Sequence, residues 1–136
     1  MELKKIEYAD LNSRQQENYN FQKFSAVLAD YGFVCLRLSD DWLGADFIAS
    51  HADGRHFLKV QLKGRLTIDK KYQGQDIYIA FRDGGEHYLV PHDALSDYLI
   101  EHGTNAQKEN WSNGTGAYSW PGIPKRHSRF MDTYKL

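Results

Sequence analysis

The sequence predicts an α/β domain in which a mixed central sheet of four to five strands is flanked by helices. Apolar residues recur at three- and four-residue spacing between Ser13 and Gly32, which is the period of an amphipathic helix. Two alternating runs then surround Asp53-Gly54, a dipeptide typical of hairpin turns. Two further strand-like runs and a short amphipathic segment after Pro91 complete the order of helices and strands.

The first helix and the first strand follow from local signals. Ser13 and Gln16 have the spacing of a capping box, so we expect the helix to begin at Ser13 and to end at Gly32. The run 33–38 is apolar with little alternation, which predicts a central strand buried on both faces. Residues 67–75 are polar and are expected to form a loop.

The elements of the second half are expected in the order strand, turn, strand and helix, at 76–81, 83–85, 86–90 and 92–100. The first helix and the strands together predict a core of buried apolar side chains, namely Phe21, Phe24, Leu28, Val34, Leu36, Phe47, Leu58, Val60, Ile77 and Ile79.

The length of 136 residues predicts one domain spanning 1–136, large enough to bury a core. We expect that core to lie at about residues 13–103. Residues 104–136 change in composition to Asn, Gly, Ser and aromatic residues followed by a basic end. This change predicts an irregular C-terminal extension.

Composition limits the classes of function. Hydrophobic residues make up 41% and charged residues 26% of the chain, which is ordinary for a soluble globular protein. No apolar run reaches the ~20 residues of a membrane span, and residues 1–5 lack the apolar stretch of a signal peptide. Cys35 is the single cysteine, so no internal disulfide can form. A cytoplasmic protein without a membrane partner is therefore expected.

The predicted hairpin places three polar side chains near one point. A two-residue type I′ turn at Asp53-Gly54 sets the register of its two strands. In that register Asp46 lies opposite Gln61, and Lys63 is the diagonal neighbour on the same face. Oxygens of Asp46 and Gln61 suit a hard cation such as Mg²⁺, and Lys63 could hold a water, a phosphate oxygen or developing negative charge. The alternative is that Asp46 and Lys63 form an ordinary surface pair.

Two short motifs carry a resemblance to a known superfamily. Gly44-Ala45-Asp46, followed by Val60-Gln61-Leu62-Lys63-Gly64-Arg65, resembles the active-site hairpin of the PD-(D/E)XK, or restriction endonuclease-like, nucleases. The Gln-x-Lys spacing is similar to that of Mrr-type restriction enzymes and of the group I intron homing endonuclease-like group, which carry Gln-x-Lys in place of Glu-x-Lys. The resemblance extends from about Ser13 to about Leu95 and includes the order of the elements.

The resemblance implies a Mg²⁺- or Mn²⁺-dependent endonuclease that hydrolyses DNA phosphodiester bonds. It implies that Asp46 and Gln61 bind the metal ion and that Lys63 acts in catalysis. Members of the superfamily often carry a metal-binding Glu on the first helix, which makes Glu17 the candidate here, one turn earlier than in relatives. The alternative for Glu17 is a first-turn acid that favours the helix dipole.

A DNA partner requires basic residues, although the net charge of −1 argues against a large non-specific surface. The expected contacts are basic residues near the hairpin and at the C-terminal end, namely Lys59, Arg65, Lys70, Lys71, Lys125, Arg126 and Arg129. Cutting both strands of a duplex needs two sites, so a symmetric homodimer is expected.

A second hypothesis is a catalytically weak or inactive nuclease-fold module that binds nucleic acid or a protein partner. The neutral side chain of Gln61 and the early position of Glu17 favour this hypothesis. A toxin, immunity or phage-defence protein on the same fold is a third. The histidines show no zinc-type spacing, and His51 and His56 are expected to be surface residues at the strand ends.

Overall fold

The computed structural model describes residues 1–42 and 44–136. The helices are α1 (Ser13–Ala29), α2 (His92–Glu101), α3 (Asn105–Asn113) and α4 (Ser128–Asp132). The strands are β1 (Phe33–Trp42), β2 (Ala45–His51), β3 (Phe57–Leu62), β4 (Thr67–Asp69), β5 (Ile77–Asp83), β6 (Glu86–Pro91) and β7 (Ala117–Ser119). Short 3₁₀ turns lie at Tyr8–Asp10, Lys70–Tyr72 and Lys125–His127.

The main sheet has five strands in the order β1-β2-β3-β5-β6. The first three strands form an antiparallel meander, β5 runs parallel to β3, and β6 returns antiparallel to β5. β4 and β7 pair in a separate two-stranded antiparallel sheet. The predicted fold class, a mixed α/β sheet flanked by helices, is therefore confirmed.

Apolar side chains cover the two faces of the main sheet. On one face, Phe24 and Leu28 of α1 pack with Phe47 of β2. On the other face, Ile79 of β5 packs with Leu95 of α2. The predicted core residues that are buried are Phe24, Leu28, Phe47, Val60, Ile77 and Ile79, while Phe21 and Leu58 are partly buried.

The prediction that β1 is central and buried on both faces was wrong. Val34 is 74% exposed and Leu36 is 67% exposed, because β1 lies at the edge of the sheet beside β2. Helix α1 covers the opposite face of β1, where Phe33 and Cys35 pack against the core. An apolar run on both faces does not reveal which face the rest of the fold will cover.

The β2–β3 hairpin has the register that the sequence predicted. Phe47 pairs with Val60 in an antiparallel ladder that continues towards the turn. In this register Asp46 and Gln61 come next after that pair, at the open end of the hairpin. The polar residues of the predicted site are therefore carried to the same end of two neighbouring strands.

The turn of this hairpin differs from the predicted type. The His51 N–H donates to the His56 carbonyl at 2.9 Å, so residues 52–55 form a four-residue loop. The Gly54 N–H donates to the His51 carbonyl at 3.0 Å, and Gly54 takes the positive φ of 71°. Asp53 is thus the third residue of a turn that runs from His51 to Gly54. The predicted two-residue loop and the observed four-residue loop give the two strands the same register.

The cap of α1 lies one residue before the predicted one. Asn12 accepts a hydrogen bond from the Gln15 N–H at 2.9 Å, and Gln15 accepts one from the Asn12 N–H at 2.9 Å. The predicted pair, Ser13 and Gln16, has the same spacing, so spacing alone could not separate them. Gly32 follows the helix with the expected positive φ, 86°.

Two regions that were expected to be irregular are folded. The predicted loop 67–75 contains β4, which pairs with β7, and the extension 104–136 contains α3 and α4. Trp111 is 9% exposed and Met131 is fully buried, so both extend the core. In the described part of the chain, no helix has the length and apolar character needed to cross a membrane.

Phe47→Ala should lower the free energy of unfolding by about 3–5 kcal/mol, because it removes a fully buried ring that packs edge-on against Phe21. Urea unfolding followed by circular dichroism measures the loss. Val34→Ala, compared at low protein concentration, is the control, since Val34 was predicted to be buried but is exposed, and it should cost less than about 1 kcal/mol. Equal losses in the two variants would contradict the assignment of strand faces.

Acidification should destabilise the protein through His92, which is fully buried. Its Nε2 accepts the Asp69 N–H at 3.1 Å, and its Nδ1 lies 3.1 Å from Asp93. Burial lowers the pKa of His92 below its ordinary value of 6.5, although Asp93 acts in the opposite direction. The unfolded chain therefore binds the proton first, and stability is complete above about pH 6.5 and falls below it.

The measurement is the free energy of unfolding from about pH 7 to about pH 5. His92→Gln should reduce this dependence without abolishing it, because burial also lowers the pKa values of His87 and His127. Lys108→Ala, a change at an exposed lysine, should leave it as in the native protein. A native protein whose stability is constant over this range would contradict the role assigned to His92.

Candidate active site

A cleft of about 410 Å³ lies between the first half of α1 and the adjoining ends of β2 and β3. Its walls include the four residues that the sequence nominated for the site: Glu17, Asp46, Gln61 and Lys63. Two of them are on β2 and β3, one follows β3, and one is on α1. The fold thus gathers an acid, an amide, a lysine and a helix acid around one space.

Asp46 is held by the strand beside it. Its Oδ2 accepts a hydrogen bond from the Leu62 backbone N–H at 2.8 Å, which joins the start of β2 to the end of β3. The residue before β2, Gly44, has a φ of 86° and approaches the Tyr72 ring. The hydrogen bond from the Leu62 N–H therefore holds one oxygen of the Asp46 carboxylate in place at the end of β3.

Gln61 is only 8% exposed, although it carries a polar side chain. Its Oε1 is buried and has no hydrogen-bond partner among the residues that the structure describes. A buried carbonyl oxygen without a partner costs about 1–3 kcal/mol, so such an atom usually has a bound water, ion or ligand. Gln61 lines the cleft together with Asp46, which supplies a carboxylate.

Lys63 follows β3 and lines the cleft at the end of that strand. Its backbone N–H donates to the Ala80 carbonyl at 2.8 Å, which holds the chain beside β5. Its ammonium lies 5.2 Å from the centre of the Tyr72 ring, within cation–π distance. The ring therefore limits where the ammonium can lie.

Tyr72 was not identified from the sequence, because it lies in the stretch expected to be a polar loop. It is 4% exposed and packs against Gly44. Burial raises the pKa of its phenol above the ordinary value of 10, Lys71 lowers it, and the carboxylates of Asp69 and Asp46 raise it. The phenol is thus neutral beside Lys63, and it acts as a positioning contact.

Glu17 lies on the α1 side of the cleft and is paired with an arginine. Its carboxylate is 3.6 Å from the Arg37 guanidinium, which also hydrogen-bonds Asn18 and lies over the Phe21 ring. The Glu17 side chain is 68% exposed. Arg37 was missed by the sequence analysis, although an arginine inside the apolar run 33–38 was a usable signal.

A second cleft, of about 340 Å³, adjoins the first. The two share Tyr8, Asn20, Lys63 and Gly64, and Arg82 lines only the second. The Nε of Arg82 is buried and has no hydrogen-bond partner within the described ranges. Lys63 therefore lies where the two clefts meet, with a further cation on the side away from Glu17.

The seven basic residues expected to contact DNA do not line the first cleft, as far as the described residues show. Lys70 is used inside the fold, since its ammonium donates to the carbonyls of Trp111 and Ser112 at 3.1 and 3.3 Å. Lys71 lies 3.9 Å from Asp69. Of the other basic residues, Lys59 is partly buried, whereas Arg65, Lys125, Arg126 and Arg129 are exposed.

The donor atoms of the cleft fit a hard divalent cation. Asp46 offers a carboxylate, and Gln61 offers a buried carbonyl oxygen without a hydrogen-bond partner in the described structure. Oxygen ligands of these two kinds are those that Mg²⁺ and Mn²⁺ prefer. Glu17 is the third oxygen donor on the cleft wall, although Arg37 balances its charge.

No protein-family model matches the chain. A search of the curated proteins finds no match either. Among solved structures, the chain is similar to Hjc, a Holliday junction resolvase from the archaeal hyperthermophile Archaeoglobus fulgidus. The likeness covers 56% of this chain and 72% of that chain, with 18% sequence identity and a TM-score of 0.46. A likeness of this size says nothing about activity, so function must be inferred from the cleft.

Gly44→Ala should disturb the site more than Gly54→Ala does. Both glycines have positive φ, 86° and 71°, so each alanine has an unfavourable left-handed backbone costing about 1–2 kcal/mol. At Gly44 the added Cβ would also lie 3.1 Å from the Tyr72 ring, whereas the described structure leaves the space around Gly54 open. Urea unfolding should show a loss about 1 kcal/mol larger for Gly44→Ala. Equal losses would contradict the packing of Tyr72 on Gly44.

Proposed function

We propose that this chain is a metal-dependent endonuclease that hydrolyses DNA phosphodiester bonds, on a PD-(D/E)XK-type site with Gln61 in place of the usual Glu. One observation carries the proposal: Gln61, whose buried side-chain oxygen has no hydrogen-bond partner among the described residues, lines the same cleft as Asp46. Lys63 lines that cleft as well, so ligands for a cation and a positive charge for a phosphate occur together.

Asp46 and Gln61 would hold Mg²⁺ or Mn²⁺. When bound, such an ion lowers the pKa of a ligated water and offsets negative charge on a phosphate. The fixed hydrogen bond from the Leu62 N–H keeps one Asp46 oxygen in place. Because Gln61 is neutral, the site has one negative charge fewer than an Asp/Glu pair, and we expect weaker metal binding.

Glu17 would supply the missing negative charge from α1, directly or through a water. Its ion pair with Arg37 keeps the carboxylate at the cleft wall. Arg37 is also a cation on the wall of the cleft that a phosphate would enter. A guanidinium group can bind two oxygens of one phosphate in a bidentate contact. Glu17 and Arg37 therefore act as one unit in this proposal.

Lys63 would position the attacking water and stabilise the negative charge on the oxygens around the phosphorus in the transition state. An ammonium suits this role because it is a compact charge with three donors. The Tyr72 ring restrains it without taking its protons, since the contact is with the ring face. Arg82 in the adjoining cleft would contact the next phosphate along the strand.

Basic residues outside the clefts would hold the rest of the DNA through its phosphates. They are the partly buried Lys59 and the exposed Arg65, Lys71, Lys125, Arg126 and Arg129. Lys70 would contribute less than the sequence suggested, because its ammonium is bound to the carbonyls that end α3.

A homodimer would provide the second site that a double-strand cut requires. The face of β1–β3 opposite α1 carries exposed apolar side chains, Val34, Leu36 and Phe57, with exposures of 74%, 67% and 61%. Pairing across the strands puts these residues on one face of the sheet. We propose that this face meets its own copy, since a two-fold contact covers both patches at once.

With Mg²⁺ or Mn²⁺, the protein should nick or cut supercoiled plasmid DNA. Asp46→Ala should abolish cleavage because it removes the charged ligand. Lys63→Ala should lower the rate by about 10²–10³-fold and leave metal binding intact. The reason is that the ammonium is expected to contact the phosphate chiefly in the transition state, when negative charge develops there. Lys108→Ala, an exposed lysine on α3, is the control and should cleave like the native protein.

The same plasmid assay separates the roles of the remaining ligands. Gln61→Glu should bind metal more tightly, and Glu17→Gln should slow cleavage if Glu17 completes the site. The assay belongs at low salt, because phosphate contacts weaken steeply as salt rises. Cleavage that persists in Asp46→Ala would contradict the proposal. So would a native protein that cuts neither duplex, branched nor single-stranded DNA, nor RNA.

Sedimentation velocity at increasing concentration should show a dimer whose dissociation constant rises at least about tenfold in Leu36→Glu. Formation of the dimer would bury the introduced carboxylate without a charged partner, and such burial is costly. Leu3→Glu is the control, because Leu3 is 87% exposed on the N-terminal arm. A native protein that remains monomeric at the concentrations used for cleavage would contradict the homodimer.

A further inference from the structure

The tip of the β2–β3 hairpin holds a second cluster of ligand-type side chains, at the opposite end of these strands from the cleft. His51 ends β2, Asp53 lies in the loop, and His56 precedes β3. One ligand atom from each of the three lies within 4.8 Å of those from the other two. None of the three is among the described residues that line the two clefts.

The Asp53 carboxylate divides its contacts between the backbone and the two rings. Its Oδ1 accepts the N–H groups of Arg55 and His56 at 2.8 and 3.1 Å, which fixes the loop. Its Oδ2 is turned towards the imidazoles, 3.2 Å from Nδ1 of His51 and 2.5 Å from Nδ1 of His56. The loop thus presents one oxygen between two nitrogens.

The His51 ring is held in a defined orientation. It packs edge-on against Phe33, with the ring centres 4.9 Å apart, and its Nε2 side lies against Gly32. The backbone N–H of Asp53 donates to its Nδ1 at 3.1 Å, so this nitrogen carries a lone pair rather than a proton. The proton of the neutral ring is therefore on Nε2.

This arrangement brings two electron-rich atoms together. The lone pair on His51 Nδ1 and the Asp53 Oδ2 are 3.2 Å apart, and neither has a proton to share with the other. The other oxygen of the same carboxylate accepts two backbone N–H groups of the loop, which favour its charged form. A cation placed between these atoms would relieve the repulsion.

We propose that His51, Asp53 and His56 bind a divalent transition metal of the Zn²⁺ class. Two imidazole nitrogens and a carboxylate oxygen are a common ligand set for Zn²⁺, with a water in the fourth position. At Zn–N and Zn–O lengths of about 2.0–2.1 Å, tetrahedral ligand atoms are about 3.3 Å apart. The His51–Asp53 separation of 3.2 Å already fits this spacing.

Small movements complete the site. The His56 nitrogen must move away from Asp53 by less than about 1 Å, and its side chain is 72% exposed and free to do so. Metal binding also replaces the hydrogen bond from the Asp53 N–H to His51, which is worth about 1 kcal/mol. Nitrogen donors separate this site from the oxygen-lined cleft, which suits Mg²⁺.

A metal ion at the tip would tie the two ends of the loop together. The ion binds the folded hairpin and not the unfolded chain, so the melting temperature should rise with the concentration of free metal ion. Asp46 and Gln61 lie at the far end of the same strands. The tip would therefore affect the cleft only through the stiffness of the hairpin.

The test is a titration of the untagged full chain with Zn²⁺, followed by calorimetry and by NMR of the histidine rings. One equivalent should bind with a dissociation constant below about 10⁻⁴ M and shift the ring signals of His51 and His56. His56→Gln should weaken binding at least tenfold, and His56→Cys should retain it because a thiolate is also a zinc ligand. His102→Gln, at another exposed histidine, should bind like the native protein.

Three outcomes would overturn the proposal. These are the absence of saturable Zn²⁺ binding, an affinity unchanged in His56→Gln, and loss of Zn²⁺ binding in Asp46→Ala but not in His56→Gln. Folding does not obscure the result, because His56 is exposed and the NMR spectrum reports the fold of each variant. Since plasmid cleavage is not measured, failure here leaves the proposed nuclease activity standing.

Discussion

The hydrogen bond from the Leu62 N–H to the Asp46 carboxylate is the contact on which the site depends. It closes the open end of the β2–β3 hairpin with a side chain where the backbone ladder has ended. The carboxylate is thereby fixed beside Gln61, whose buried oxygen has no hydrogen-bond partner in the described structure. The rest of the fold supports this end: α1 covers one face, and Tyr72 packs beneath Gly44.

Charge in the cleft is balanced by paired contacts. Arg37 offsets Glu17, and the Tyr72 ring face holds the Lys63 ammonium. Without a bound metal ion, a site built in this way has a small net charge, and the net charge of the whole chain is also small, at −1. It becomes complementary to a phosphate when a cation joins Asp46, because the added charge is then local.

Sequence reasoning predicted those features that depend on local periodicity. The alternation around the hairpin predicted the β2–β3 register, and helical spacing predicted the α1 stripe. It failed where a remote segment decides the outcome. Whether Val34 is covered depends on the sheet edge, and β4 forms only because β7 returns to it. Arg37 contacts Glu17, and Tyr72 contacts Lys63, from other parts of the chain. Of these two residues only Arg37 had a local signal, as an arginine inside an apolar run.

The most direct test of the central claim is a crystal structure with Mn²⁺, in which anomalous scattering locates the ion. The account predicts a peak within coordination distance of the Asp46 carboxylate and of Gln61 Oε1, lost in Asp46→Ala. A fully occupied ion elsewhere in the cleft, touching neither oxygen, would contradict the account. So would a map with no peak in the cleft at Mn²⁺ concentrations that support cleavage.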